Sequence, residues 1–214
     1  MHDFAAPLLW FDYLGLAVFA ATGALAAARR RHDVVTFAAF AIMTGIGGGT
    51  LRDLLIGVPV FWVHAGSYIY VCLAAAGAVW LAGERPWRSS ALIWFDAIGL
   101  AAYAVLGTAK ALKAGVSPPV AVVMGVLTAT FGGILREVIA GEPSALLRRE
   151  IYVTAAVLAA FVYAAGATLG LDGNIAALLG FTAGFILRAG AIARDWTLPG
   201  FAAHESRDDS TKDS

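Results

Sequence analysis

Gly47-Gly48-Gly49-Thr50-Leu51-Arg52-Asp53 sits inside an otherwise apolar stretch, and the chain comes close to repeating it. At an offset of 84 residues it reads Phe131-Gly132-Gly133-Ile134-Leu135-Arg136-Glu137. Working outward at the same offset, Gly57-x-Pro59 is echoed by Gly141-x-Pro143 and Tyr68 by Tyr152. Upstream, Trp10-Phe11-Asp12-x-x-Gly15-x-Ala17 returns as Trp94-Phe95-Asp96-x-x-Gly99-x-Ala101. The duplicated unit is hydrophobic, yet it carries glycines and an arginine where lipid least tolerates them. That combination points to a pathway through a membrane.

The composition agrees. Hydrophobic residues make up 60% of the chain and charged residues 14%, against roughly 45–50% and about 25% in soluble domains. A spanning helix needs about 20 mostly apolar residues. Seven stretches qualify, approximately 10–28, 34–58, 66–82, 92–112, 118–140, 150–168 and 173–193. The expected fold is therefore all-α: a polytopic membrane protein whose seven transmembrane helices form one domain over 1–195. Repeat one covers about 8–82, repeat two about 92–168 and helix seven about 173–193, and a disordered cytoplasmic tail is expected over 196–214. The basic cluster Arg29-Arg30-Arg31 follows the first apolar run. A signal peptide would carry its positive charges before that run.

Lys and Arg in short loops set orientation. With the N-terminus outside, Arg29, Arg30, Arg31, Arg85, Arg88, Arg148 and Arg149 fall on the cytoplasmic side, and only Lys110 and Lys113 fall outside. The C-terminus is then cytoplasmic. Each repeat holds three spans, an odd number, so the second copy enters the membrane from the opposite face. Two inverted three-helix halves result, an arrangement common in transport proteins, whose sites lie at the repeat interface. Duplication that merely builds a stable scaffold is the plainer alternative.

Each glycine in a helix interior costs about 0.8–1 kcal/mol relative to alanine. The runs at Gly47, Gly48, Gly49 and at Gly132, Gly133 therefore predict a bend or an unwound turn lining a pathway. Close helix packing through small residues is the competing reading. Intramembrane charges usually mark function, which singles out Arg52, Asp53, Arg136 and Glu137. Neighbours on a helix point to different sides, so each is expected to need a partner elsewhere. The expected pairs are Arg52 with Asp12 and Arg136 with Asp96, although both aspartates also suit simple capping of a first turn. The hydroxyls of Thr44, Thr50 and Thr130 lie near the glycines, placed to replace part of a monovalent cation's hydration shell. Bonding to their own helix backbone is the plainer use of each.

Other chemistry is missing. The four histidines are scattered without metal-ligand spacing, and Cys72 is a lone thiol in an apolar run. The chain has neither a Walker loop nor a nucleophile-elbow serine motif. No enzyme, cofactor or resident metal is expected, and a formal net charge of +0 gives no case for nucleic acid.

With these motifs in hand, the chain resembles the prokaryotic TRIC family, the trimeric intracellular cation channels, whose bacterial domain is also catalogued as a glycine transporter. The similarity runs over about 8–195. It implies a seven-helix protomer in a homotrimer, a potassium-permeable pore in each protomer, and kinked pore helices two and five. On this sequence the family's pore positions fall on Gly47, Gly48, Gly49, Arg52, Gly132, Gly133, Arg136 and Glu137. Phe131 replaces the first glycine of the second run, so a milder break is expected there. The function expected is a potassium-favouring monovalent cation channel in the bacterial inner membrane, with potassium, lipids and two further copies of itself as partners. The alternative is a secondary carrier of a small solute such as glycine.

Overall fold

The computed structural model describes residues 6–83, 89–143 and 151–198. They form seven helices: α1 (Ala6–Arg29), α2 (Val34–Ile56), α3 (Ser67–Ala82), α4 (Ser89–Lys113), α5 (Pro118–Ala140), α6 (Val153–Thr168) and α7 (Gly173–Arg194). Local chemistry sets their ends. Asp33 caps α2 by accepting the Thr36 N–H at 2.9 Å, and this bond holds the exposed carboxyl below its usual range. Asp172 caps α7 in the same way through Asn174 and Ile175. Pro118 and Pro119 open α5, where missing N–H groups do no harm. Gly57 and Gly141, equivalent in the two repeats, end α2 and α5 in the left-handed conformation at φ 70° and 64°.

The packing follows the duplication. Helix α1 packs on α2 and α3, and α4 packs correspondingly on α5 and α6. The halves meet through α1 against α4 and α2 against α5, and α7 lies on α6 and α4. Large apolar side chains such as Leu54, Phe161, Leu178 and Ile186 stay about 60% exposed on the outside. In water such a surface would drive aggregation; in a bilayer it is the natural exterior. Helices α2, α4, α5 and α7 are each long and apolar enough to cross a membrane. Helices α3 and α6 have 16 residues each, shorter than the sequence suggests.

Neither glycine run unwinds. Residues 34–56 and 118–140 are α-helical throughout, so the expected unwound turn is absent and no backbone carbonyls are released there. Of the tail expected to be disordered over 196–214, residues 199–214 lie outside the described residues. Its first described residue, Trp196, folds back on α7, bonding Ala191 O at 3.1 Å with its ring 5.5 Å from the Arg194 guanidinium. The loop arginines Arg85, Arg88, Arg148 and Arg149, which carry much of the orientation argument, also lie outside the described residues.

Candidate ion pathway

Two buried ionic clusters mark the ends of the bundle interior. Asp96 and Lys110 belong to different clusters on α4, and 14 residues of helix separate them by about 21 Å.

In the first cluster, Arg52 (1% exposed) donates from Nε and Nη2 to Asp53 Oδ1 at 2.9 and 2.6 Å. Asp53 Oδ2 accepts the Phe61 N–H at 3.0 Å. Asp12 accepts from Lys110 Nζ and from the Tyr68 hydroxyl, each at 2.8 Å. The expected Arg52–Asp12 pair is therefore corrected. Side chains of adjacent helical residues do leave in different directions, but an arginine is long enough to curl back onto its neighbour, and Lys110 takes Asp12. The position of Lys110 held the missed signal: it lies three and seven residues beyond Gly107 and Tyr103, on a face that points inward.

At the second cluster the expected pair forms. Arg136 Nη1 donates to Asp96 Oδ1 at 2.8 Å and to Thr22 Oγ1 at 3.0 Å, while Nη2 lies 3.6 Å from Glu137 Oε1. A methyl placed on Gly133 would meet the Tyr152 hydroxyl at 2.6 Å, with Arg136 Nη2 and Asp96 Oδ1 each at 3.7 Å. Tyr152 thus stands beside its cluster as Tyr68 does beside the other. Arg188 of α7, also buried, was not anticipated. Its Nη1 donates to Ile151 O at 3.2 Å, and its guanidinium lies 5.1 Å from the Tyr152 ring centre. An arginine inside the last apolar run, outside either repeat, was the available cue.

Between the clusters, the glycines allow α2 and α5 to touch. A Cβ on Gly48 would run into the Thr128 carbonyl, and one on Gly132 would lie 2.5 Å from the Thr44 carbonyl oxygen. These contacts are equivalent, since Thr128 is Thr44 shifted by one repeat. The same symmetry governs α1 and α4. A Cβ on Gly23 would lie 2.6 Å from Thr44 Oγ1, and one on Gly107 2.6 Å from Thr128 Oγ1. Thr128, Gly23 and Gly107 were missed, although the repeat offset relates Thr128 to Thr44 and Gly23 to Gly107. Close packing is therefore the glycines' structural use. Gly49 keeps room for the Phe61 ring, which a methyl added there would meet at 2.6 Å. Gly47 and Phe131 line one lateral apolar groove with Leu135 and Trp62.

Most hydroxyls bond locally. Thr130 Oγ1 donates to Val126 O at 2.9 Å and Thr128 Oγ1 to Met124 O at 2.6 Å. Thr50 donates to Ile46 O at 2.8 Å while accepting from Trp62 Nε1 at 2.9 Å. Thr44 differs: its buried Oγ1 has no hydrogen-bond partner among the described residues. Facing solvent beside the first cluster is a cavity of about 340 Å³, whose wall includes Arg52, Asp53, Phe61, His64, Lys110 and Lys113. No group of three or more potential metal ligands occurs among the described residues.

Comparison with known proteins agrees with this geometry. The glycine transporter family model matches residues 9–84 and again 93–168. A Vibrio cholerae membrane protein is 37% identical over 201 residues, covering 91% of this chain and 83% of its own length. The Escherichia coli inner membrane protein YadS is 36% identical over 201 residues, covering 92% and 97%. The solved TRIC trimeric intracellular cation channel orthologue from Rhodobacter sphaeroides superposes with a TM-score of 0.87 at 41% identity, over 90% of this chain and 100% of that one. The chain belongs to the prokaryotic TRIC family. TRIC membership makes it an integral membrane protein of a channel family and not an enzyme. The all-α fold of two repeats plus a seventh helix is the TRIC fold.

Proposed function

We propose that the chain is a passive channel for monovalent cations, favouring potassium, with one pathway in each protomer of a homotrimer. The pathway runs beside the α2–α5 contact, from the Arg52 cluster to the Arg136 cluster. The protein lies in the inner membrane with its N-terminus outside and C-terminus inside, so that Arg52 faces outward and Arg136 inward.

The observation that carries this reading is the pairing of both repeat arginines. A bare guanidinium on a cation route would repel its cargo, but Arg52 is held by Asp53 and Arg136 by Asp96. Each charge is offset locally, and the carboxylates stand where an entering cation needs them. Between the clusters α2 and α5 meet closely through their glycines, at the Thr44 and Thr128 carbonyls and at the Leu135 side chain over Gly47, so a modest separation of these helices would open the route.

The test is single-channel recording on purified protein in planar bilayers under asymmetric potassium chloride. Discrete openings reversing near the potassium equilibrium potential are expected, and Arg136→Ala should alter conductance or open probability. Wild-type-like openings in that variant would remove Arg136 from the mechanism. The name of the matching family model keeps one other reading in play, because buried Arg–carboxylate clusters also suit a zwitterion such as glycine. Saturable glycine uptake into liposomes without current would put that carrier first.

A further inference from the structure

The two repeats end their first helices with the same turn. After α1, the Arg31 N–H bonds Ala28 O at 3.0 Å and the His32 N–H bonds Ala27 O at 3.2 Å. After α4, the Gly115 N–H bonds Leu112 O at 3.0 Å and the Val116 N–H bonds Ala111 O at 3.1 Å. Arg31 and Gly115 are equivalent positions, and both are left-handed, at φ 55° and 83°. Glycine enters that region without steric cost, and an arginine does not. The first repeat therefore keeps a side chain where the backbone favours none, and that side chain is a guanidinium.

The turn places Arg31 on the wall of an open pocket of about 270 Å³, where the end of α1, the start of α2 and the end of α3 meet. His32, Phe37, Val79 and Trp80 form the rest of its character. Phe37 is buried and stands at right angles to the Trp80 ring, 4.9 Å between centres. The pocket thus has an apolar, aromatic floor and a basic rim. Duplication does not explain it, because Gly115, Val116, Ala121 and Ala164 take the places of Arg31, His32, Phe37 and Trp80 in the second repeat. Asp33, the carboxylate of the same loop, is turned to the Thr36 N–H that it caps. Arg31 also interacts with other groups of the chain. A guanidinium has five N–H donors, so it can serve such a partner and a phosphate oxygen together.

We propose that this pocket holds the headgroup of an anionic membrane lipid, with Arg31 on the phosphate and the Phe37–Trp80 floor under the glycerol. The surroundings favour a lipid over a free anion. Val35 and Leu81, on the two helix ends that form the pocket with α1, are 74% and 87% exposed, and such apolar side chains are at home against acyl chains. Arginine and tryptophan at helix ends are residues of the membrane–water boundary, where arginine attracts anionic lipid. A soluble phosphate would meet the same guanidinium and leave the aromatic floor uncovered. The site stands on its own geometry and does not rest on the channel reading.

The experiment measures the thermal unfolding midpoint of the full chain in detergent, titrated separately with phosphatidylglycerol, phosphatidylcholine and sodium phosphate. Phosphatidylglycerol should raise the midpoint saturably, and the other two should not. Arg31→Gly is the deciding variant. Glycine suits the left-handed backbone, so the midpoint without lipid should hold or rise, while the half-saturating phosphatidylglycerol concentration rises about fivefold. Arg31→Gln, which retains a side chain in the left-handed turn, should lose the lipid response equally. Arg30→Gln removes a neighbouring charge that is not on the pocket wall and should shift half-saturation by less than about twofold. An Arg31→Gly titration superimposed on the wild type would overturn the site. Equal shifts in Arg31→Gly and Arg30→Gln would also overturn it, replacing a built pocket with diffuse attraction to a charged surface. Stabilisation by sodium phosphate equal to that by phosphatidylglycerol would overturn the lipid assignment in favour of a soluble anion. No step measures current, so failure here is separable from failure of the channel reading.

Discussion

The Arg52 and Arg136 ends descend from one sequence unit, yet they solve the burial of an arginine differently. At the Arg136 end the cation reaches across to another helix, where Asp96 holds it at 2.8 Å. At the Arg52 end it turns back on its own neighbour, Asp53, and the equivalent aspartate, Asp12, is taken by a lysine from the other repeat. Duplication preserved the residues without preserving the partnerships. Lys110 stands where the first repeat has Ala26, and it occupies the carboxylate equivalent to the one that holds Arg136 in the other cluster.

The comparison is broken or sharpened first by the aspartates. Asp96→Asn leaves Arg136 buried with its bond to the neutral Thr22 hydroxyl and, toward a carboxylate, the longer contact to Glu137. Removing one partner of a buried ion pair typically costs about 3–5 kcal/mol. Asp12→Asn should cost clearly less, because an ammonium, unlike a guanidinium, can release its proton when its partner is lost. Thermal unfolding of both variants in one detergent checks the order, and equal losses would mean that the two ends are energetically alike after all.

Next come the glycines, where the two repeats should behave alike. Gly48→Ala and Gly132→Ala each push a methyl into a backbone carbonyl of the facing helix. Overpacking of this kind costs about 1–3 kcal/mol. A methyl added at Gly77 in α3 would have nothing within 4 Å, so Gly77→Ala should be neutral, or stabilising by up to about 1 kcal/mol through helix propensity. A Gly48→Ala variant as stable as Gly77→Ala would show that α2 and α5 do not touch in the membrane.

The smallest effect separates the two equivalent threonines. Thr128→Val removes a bond to Met124 O and should cost about 0.5–1.5 kcal/mol. Thr44→Val removes a hydroxyl that has no partner among the described residues and should be neutral or slightly stabilising. A substantial loss at Thr44 would reveal a partner for its hydroxyl, such as a bound water or ion.

Much of this was legible in the chain. Lengths of apolar sequence, the offset of 84 residues and the odd number of spans per unit are local or periodic properties. They sufficed for seven helices and inverted halves, and they suggested two arginine–aspartate pairs, of which Arg136 with Asp96 forms. The glycine runs were legible as unusual, but their use was open. A run of glycines weakens a helix and also lets another helix approach, and composition weighs these no differently. The neighbouring carbonyls of Thr44 and Thr128 settled it in favour of approach.

The sequence by itself determined the fold and the inventory of buried charges, because hydrophobic length and repeat spacing act along the chain. Only the tertiary structure decided which charge meets which. Asp12 and Lys110 are 98 residues apart, and no periodicity links them, since Lys110 has no counterpart in the first repeat. Arg188 likewise reaches Tyr152 from a helix outside the duplication. Partnership among buried ions depends on distances of a few ångströms between helices, and those distances are set by packing of the whole bundle.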